Sequence, residues 1–253
     1  MTDLNQMRKL HSQPEAWGIL LPTSTQRDVT CRLLILSDWQ GGHSNYIRRM
    51  AMLFSDALQS ETVIFHPYEQ RQLPTNYDFD GHKRVASRLA DALTTRQWMA
   101  DCLAALEPYW QHQKVPLILV GFCLGGSLAF EAARHCDLAR VAISIHGNPL
   151  SDLGQISKHQ TTMVYVSGGN DPLIPAQATA HFIQEMGHSQ RDWFHFTLGK
   201  ARHSFSKQEV GDQGPGSIYD PRLFAVARQH IALLIQNLIQ PTVTGTQEGL
   251  RYV

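Results

Sequence analysis

Residues 117–126 read LILVGFCLGG, and the chain continues with SLAFEAA. The four aliphatic residues at the start are typical of a strand that is buried on both faces of a sheet. After Gly126, apolar residues such as Leu128 and Ala132 recur at helical spacing, which predicts a helix packed on that strand. The chain is therefore expected to turn sharply from strand to helix at Cys123.

The predicted turn has the pattern G-x-S-x-G with Cys123 in the serine position. Gly121 and Gly125 stand two residues to either side, and because they lack a Cβ they let strand and helix approach closely. This pattern predicts a nucleophile elbow, whose apex is a strained backbone turn. Its thiol is expected at the carboxyl end of the sheet, where the positive end of the helix favours thiolate. The alternative is a buried, inert thiol, but the strand and helix around Cys123 favour the elbow.

Composition narrows the class of protein. The chain has 253 residues, with 22 Lys and Arg against 22 Asp and Glu, and its basic residues form no stripe. A nucleic-acid partner is therefore not expected. The N-terminus lacks the pattern of a signal peptide, and no apolar run approaches the ~20 residues that a membrane helix needs. We expect a cytoplasmic protein without membrane contact, either a monomer or a small homo-oligomer.

The chain contains four cysteines, Cys31, Cys102, Cys123 and Cys136. Their spacing matches no zinc motif, and without an export signal they are expected to stay reduced. No structural metal and no disulfide framework is predicted.

Strand-like and helical patterns alternate along the chain. An edge strand is expected at 16–21, and further strands are expected at 29–37, 62–66, 116–120, 139–145, 161–167 and 193–197. Helices are expected at 46–59, 82–113, 124–135, 176–186 and 221–239, and the pattern at 82–113 is long enough for either one helix or two. This order predicts a mostly parallel sheet with helices on both faces and a ligand beyond the carboxyl ends of the strands. One α/β domain at 15–240 is expected between an irregular segment at 1–14 and a loose tail at 241–253.

A catalytic thiol needs a base nearby and a carboxylate that orients the base. After a nucleophile elbow the acid precedes the histidine along the chain. Asp171 follows the apolar run at 163–166 and is the candidate acid, although a turn or capping role is the alternative. His203, in a loop after the strand at 193–197, is the candidate base. Its rival, His195, lies within that strand, where a side chain would pack against a helix.

Four segments together carry a family resemblance: GFCLGG at 121–126, Asp171-Pro172, His203-Ser204-Phe205, and Tyr219-Asp220 before the last helix. Over about residues 15–240 the chain resembles the dienelactone hydrolase family, cysteine-dependent members of the α/β-hydrolase fold. The resemblance implies that fold in a single domain.

The resemblance also implies further site residues. In this family an acidic residue after an early strand contacts the thiol, and the next backbone amide completes an oxyanion hole with the amide after the cysteine. The matching segment is LSDWQG at 36–41, which gives Asp38 as the thiol-activating acid and the amides of Trp39 and Leu124 as the hole. The family usually has Glu there, and Asp is one methylene shorter, so its contact with Cys123 is open. The alternative for Asp38 is a turn residue.

Arginines hold the substrate anion in this family, and one of them lies four residues after the catalytic histidine. Lys207 occupies that position here; it keeps the charge but not the bidentate geometry. Alternatively it is an ordinary solvated lysine. The second arginine has three candidate counterparts, Lys83, Arg84 and Arg88. His43 and His146 follow strands and are candidate pocket residues, with a packing or loop role as the alternative.

The sequence therefore predicts a hydrolase that cleaves a small ester or lactone, which can carry a carboxylate, with a Cys-His-Asp triad. No metal or organic cofactor is implied. One alternative is a thioesterase or general small acyl-esterase with the same triad. A catalytically silent ligand-binding protein on the same scaffold is the other.

Overall fold

The computed structural model describes residues 8–9, 18–20, 28–65, 92–151, 160–210 and 216–240. The strands are Arg8–Lys9 (β1), Gly18–Leu20 (β2), Cys31–Leu36 (β3), Ser60–Phe65 (β4), Leu117–Phe122 (β5), Val141–Ile145 (β6), Thr162–Gly168 (β7) and Trp193–Leu198 (β8). They form one sheet with the order β1-β2-β4-β3-β5-β6-β7-β8.

Six of these strands, from β4 to β8 in that order, pair in parallel. β1 and β2 are antiparallel additions at one end of the sheet. The predicted mostly parallel sheet is confirmed. The strand expected at 16–21 forms as β2, one position in from the edge because β1 pairs outside it. β1 falls within segment 1–14, whose other residues lie outside the described ranges, as does the tail 241–253.

The helices are Asn45–Leu58 (α1), Ala92–Leu106 (α2), Leu124–His135 (α3), Ala176–Gly187 (α4) and Pro221–Ile239 (α5). Four of them match the predicted helices closely. The predicted helix at 82–113 is wrong at its end, because α2 stops before a 3-10 turn at Glu107–Tyr109 that contains a proline. Residues 82–91 lie outside the described ranges. None of the described helices is long and apolar enough to cross a membrane.

Side-chain caps explain where two helices start. The Ser44 hydroxyl accepts a hydrogen bond from the Ile47 amide at the start of α1. Asp220 accepts from the amides of Arg222 and Leu223 at the start of α5, where proline is the first helical residue. Both caps satisfy amide donors that a helix leaves unpaired at its first turn.

Both faces of the sheet are packed, as β3 illustrates. Leu33 and Ile35 pack with apolar residues of α1 and α5, whereas Leu34 and Leu36 pack with residues of α2, α3 and α4. Successive strand residues point to opposite faces, so a strand covered by helices on both sides is apolar at every position. The helices therefore cover both faces of the sheet, as the sequence predicts.

The parallel strands bring the candidate functional residues to one edge. β3, β5, β6, β7 and β8 run in the same direction, so the loops that follow them meet beyond their carboxyl ends. Each of these five loops carries one candidate residue: in chain order, Asp38, Cys123, His146, Asp171 and His203.

Candidate active site

Cys123 connects β5 to α3 with φ 52° and ψ −116°. A positive φ is uncommon for a residue with a side chain, and it stores roughly 1–3 kcal/mol of strain. The Cys123 amide donates to the carbonyl of Ile145 at 3.0 Å, and the Gly126 amide donates to the Cys123 carbonyl at 2.9 Å. These bonds hold the sharp strand-to-helix turn that the glycine pattern predicts.

Gly121 and Gly125 lie so close to neighbouring backbone that neither position has room for a side chain. A Cβ on Gly121 would overlap the carbonyl oxygen of Gly125, and a Cβ on Gly125 would overlap that of Leu36. The same Cβ would lie only 2.6 Å from the carbonyl oxygen of Ser37. The first turn of α3 therefore lies against the end of β3, and the loop that carries Trp39 begins beside the elbow.

Cys123, His203 and Asp171 form a hydrogen-bonded series. Cys123 Sγ lies 3.3 Å from His203 Nε2, and His203 Nδ1 lies 2.8 Å from Asp171 Oδ2. The other carboxylate oxygen of Asp171 accepts from the amides of Leu173 and Ile174 at 2.8 and 3.3 Å. Each oxygen thus has its own partner, and the carboxylate is fixed to face the imidazole.

The loop after β8 holds His203 in a fixed position. Its amide donates to the Gly216 carbonyl at 3.0 Å, and its carbonyl accepts from the Ile218 amide at 3.1 Å. Burial by itself would lower the pKa of His203, but the hydrogen bonds and charges of Asp171 and Cys123 outweigh it and raise the pKa to about 10. A protonated imidazole beside the sulfur favours the thiolate form of a cysteine.

His195, the rival candidate, lies elsewhere. Its side chain, in β8, has Nε2 at 2.8 Å from the Ser167 hydroxyl and stacks on the Tyr165 ring. Burial lowers its pKa. Of the two histidines, His203 is the one beside Cys123.

Asp38 and Lys207 form an ion pair with each other. Lys207 Nζ donates to Asp38 Oδ2 at 2.6 Å and to Gln40 Oε1 at 2.5 Å, and the lysine is only 2% exposed. The expected thiol contact of Asp38 is not observed among the described residues, where the hydrogen-bond partner of Cys123 Sγ is His203. The carboxylate on the shorter Asp38 side chain instead pairs with the buried ammonium of Lys207.

Burial and the ion pair define the environment of Lys207. A solvated lysine is wrong, because the side chain is buried between the Trp39 and Tyr46 rings at 5.5 and 5.4 Å. The ammonium is already bound by the Asp38 carboxylate, so a substrate anion would have to compete with that carboxylate for it. The pair fastens the loop after β3 to the loop after β8.

His146 lies beneath the candidate triad and is buried. Its ring contacts that of His203 edge to face, with centroids 5.1 Å apart. Nε2 lies 2.8 Å from the Ser206 hydroxyl, which in turn lies 2.6 Å from the Tyr46 hydroxyl. Burial, followed by the charge of His203, holds the pKa of His146 well below its usual value. The ring is therefore neutral at physiological pH.

The structure describes the position of one of the remaining candidates, His43. His43 is exposed on the loop after β3. The three basic residues considered for the second anion contact, Lys83, Arg84 and Arg88, lie outside the described residues.

The sequence analysis did not identify three polar residues that bind Lys207 or His146 in this region, namely Gln40, Tyr46 and Ser206. Ser206 lies three residues after His203, and this proximity was the one available signal. Nothing local connects it to Tyr46, which is 160 positions away in the chain.

Comparisons with known proteins agree with this fold. The model of the dienelactone hydrolase family matches residues 33–221. A "Probable 2-oxo-3-(5-oxofuran-2-ylidene)propanoate lactonase" from Bradyrhizobium is 27% identical over 128 residues, which are 46% of this chain and 51% of that protein. The match thus spans about half the length of this relative.

Two solved structures show the same fold. A dienelactone hydrolase-like promiscuous phosphotriesterase from metagenomic libraries has a TM-score of 0.74 at 21% identity, covering 87% of this chain and 92% of its own. A carboxylesterase from Lactobacillus plantarum has a TM-score of 0.61 at 12% identity, covering 93% and 98%. The family model covers most of the chain, including Cys123, Asp171 and His203, and the protein therefore belongs to the dienelactone hydrolase family.

Proposed function

We propose that this protein hydrolyses a carboxylic ester or lactone, with Cys123 as nucleophile, His203 as general acid and base, and Asp171 as the group that orients His203. The observation that carries the proposal is the series from Cys123 Sγ to His203 Nε2 at 3.3 Å and from His203 Nδ1 to Asp171 Oδ2 at 2.8 Å. A nucleophile, a base within reach and an oriented carboxylate are the parts that acyl transfer requires.

The first half of the reaction forms an acyl-enzyme. The Cys123 thiolate attacks the substrate carbonyl, and the carbonyl π electrons move to its oxygen. The amides of Leu124 and Trp39 are proposed to donate hydrogen bonds to that oxyanion, each contributing on the order of 3 kcal/mol. Leu124 supports this role because it is the first residue of α3, where an amide has no acceptor within the helix. When the C–O bond breaks, protonated His203 gives its proton to the leaving oxygen.

The second half consumes water. Neutral His203 takes a proton from a water molecule, whose oxygen attacks the thioester carbonyl. Collapse of this intermediate breaks the C–S bond, releases the carboxylic acid and restores the thiolate and the imidazolium. Asp171 keeps the Nδ1 proton facing its carboxylate throughout, so that Nε2 exchanges the proton with the substrate.

The surroundings of the series favour a neutral substrate. Lys207 is bound by Asp38 and is only 2% exposed, which argues against its binding a substrate carboxylate. Leu173 and Ile218, 59% and 49% exposed, adjoin the segments that fix Asp171 and His203. We therefore propose that the substrate is a neutral ester or lactone with an apolar group. Such a substrate also fits the alternative function, a general small acyl-esterase. The lactonase relative is named for a carboxylated lactone, but the match covers half of it.

The test of the triad is hydrolysis of a nitrophenyl butyrate by the wild-type protein and by Cys123→Ala. The substitution is expected to lower kcat/KM by a factor on the order of 10³ or more. Cys136→Ser is the matched control, since that thiol donates to the Ala132 carbonyl away from the site, and it is expected to retain activity. Mass spectrometry of the quenched wild-type reaction is expected to find the acyl group on the peptide that contains Cys123. Near wild-type hydrolysis by Cys123→Ala would refute the proposed mechanism.

The test of substrate charge compares two esters of the same phenol, a butyrate and a hemisuccinate. The neutral butyrate is expected to have the higher kcat/KM, because Lys207 could bind the second carboxylate only by breaking its pair with Asp38. A clear preference for the hemisuccinate would refute the neutral-substrate proposal and favour a substrate carboxylate bound by Lys207.

A further inference from the structure

The residues around the elbow also assemble the ligands of a transition metal. Cys123, His146 and His203 each offer one ligand atom, and these three atoms all lie within 4.8 Å of one another. They come from the loops after β5, β6 and β8. We propose that these three residues form a binding site for Zn²⁺, and that zinc bound there reversibly blocks the thiol.

His146 supplies an observation that is independent of the triad. The residue is only 1% exposed, and its Nδ1 is buried without a hydrogen-bond partner in the described part of the chain. A buried nitrogen of this kind destabilises the fold unless a ligand satisfies it. The backbone of His146 also has a positive φ, 43°, which its amide maintains by donating to the Val166 carbonyl at 2.8 Å. Neither feature is needed for the triad.

Both histidines have the outer partners that zinc ligands use. Asp171 accepts a hydrogen bond from His203 Nδ1, which leaves Nε2 facing the sulfur. Ser206 occupies Nε2 of His146, which leaves Nδ1 unengaged. A metal-bound histidine usually has its second nitrogen held in this way by a carboxylate or another oxygen.

The ligand types and spacing suit zinc. One thiolate and two imidazoles are ligands that Zn²⁺ prefers, whereas Mg²⁺ and Ca²⁺ prefer oxygen. Tetrahedral zinc with bonds of about 2.0–2.3 Å places its ligand atoms roughly 3.4–3.6 Å apart. Cys123 Sγ and His203 Nε2 are already 3.3 Å apart, and a ring nitrogen of His146 lies within 4.8 Å of the ligand atoms of both residues. Side-chain shifts of roughly 1 Å would complete three corners of the tetrahedron, and water or a substrate oxygen would take the fourth.

Zinc binding would exchange a proton for the metal. One proton is shared between Cys123 Sγ and His203 Nε2, and that proton leaves to solvent when zinc takes the sulfur and Nε2 lone pairs. No electron is transferred. The inhibition rests on the proposed function, because the metal would engage the proposed nucleophile and base together; the binding itself does not.

Calorimetric titration of the purified 253-residue chain with ZnCl₂ tests the site. One Zn²⁺ is expected to bind per chain, and MgCl₂ is expected to give no binding. His146→Asn and Cys123→Ser are each expected to weaken zinc binding at least tenfold, and Cys136→Ser is expected to leave it unchanged. Wild-type affinity in Cys123→Ser would place the zinc elsewhere in the chain, and wild-type affinity in His146→Asn would reduce the site to an ordinary Cys-His pair. Either result overturns the proposal.

X-ray absorption of the zinc-loaded wild-type protein needs no variant and decides the matter if His146→Asn fails to fold. One sulfur at about 2.3 Å and two imidazole nitrogens at about 2.0–2.1 Å are expected. A single imidazole, or no sulfur, would overturn the site. If the protein binds zinc in this way but hydrolyses no ester, the proposed function fails while the metal site stands. If it hydrolyses esters and zinc addition leaves the rate unchanged, the inhibition fails alone.

Discussion

Three histidines of this protein differ in charge because their surroundings differ. Burial lowers the pKa of His146 and of His195, and neither ring has a carboxylate within hydrogen-bonding distance among the described residues. His203 is also buried, but Asp171 and Cys123 raise its pKa to about 10. Of these three histidines, His203 is therefore the one that holds a proton at neutral pH. A protonated imidazole can give that proton to a leaving group.

The Asp171 carboxylate is expected to control the protonation of His203. Asp171→Asn removes an interaction that raises the pKa of His203, so the imidazolium should lose its proton at a lower pH than in the wild type, where this occurs near 10. Titration of the His203 ring by ¹⁵N NMR would measure the shift, and the alkaline limb of the kcat/KM profile should move in the same direction. His195 is the internal control, and its titration should not change. An unaltered His203 titration would contradict the assigned role of Asp171.

His146 is expected to make the fold sensitive to mild acid. Its folded pKa lies well below 6.5 because burial disfavours the cation, whereas the unfolded chain takes up a proton near 6.5. Stability from the neutral ring is therefore present above pH 6.5 and is lost as the pH falls below it. Between pH 6.5 and 5, wild type should lose up to about 2 kcal/mol more than His146→Gln does. Urea unfolding at both pH values measures this difference, and parallel losses in the two proteins would contradict it.

At the scale of elements, the contact of β5, α3 and β3 determines where the thiol stands. Gly121 and Gly125 bring backbone against backbone at distances that exclude a Cβ. Gly126 adds a third close contact, with the Ser144 hydroxyl and with Gly147 on the loop after β6. The elbow is therefore built by packing between elements as well as by its own turn.

Gly125→Ala is expected to be strongly destabilising. Its Cβ would meet backbone atoms of Leu36 and Ser37, which cannot rotate away as a side chain can. A loss of about 3 kcal/mol or more is expected by chemical denaturation. Gly187→Ala, at the end of α4, is the matched control, because nothing lies within 4 Å of its Cβ position. Similar stability of the two variants would show that the β3 and α3 backbones can separate without cost.

At the scale of the whole molecule, the Asp38–Lys207 pair connects loops that are 169 residues apart. Both side chains are buried, so each charge depends on the other for stabilisation. The pair lies beside Trp39, whose amide is proposed to stabilise the oxyanion. Its contribution is therefore expected in the stability of the fold and in the position of that amide.

A double-mutant cycle tests this connection. Lys207→Met leaves the Asp38 carboxylate buried without its cation and should cost about 3–5 kcal/mol in urea unfolding. Adding Asp38→Asn should recover part of that loss, since the unpaired charge disappears. Glu209→Gln, which breaks the exposed pair with Arg49, is the control and should cost less than about 1 kcal/mol. Additive effects of the two buried substitutions would contradict a coupled pair.

The amino-acid sequence by itself determined the α/β architecture, the elbow at Cys123, and the order of Asp171 and His203 after successive strands. These features depend on local constraints: apolar periodicity, glycine spacing and the shared edge of parallel strands. The end of α2 and the strand β1 were harder to predict from the sequence. The end of α2 depends on a short 3-10 turn, and the two-residue β1 depends on its pairing with β2.

Only the tertiary structure decided the partners of Lys207 and His146. The lysine could have faced a substrate or solvent, and it pairs with Asp38 because folding brings the loops after β3 and β8 together. His146 meets Ser206 across 60 residues and shares its neighbourhood with Cys123 and His203. A buried polar side chain must find its partner wherever the packed chain provides one, and no local pattern specifies which distant residue that will be.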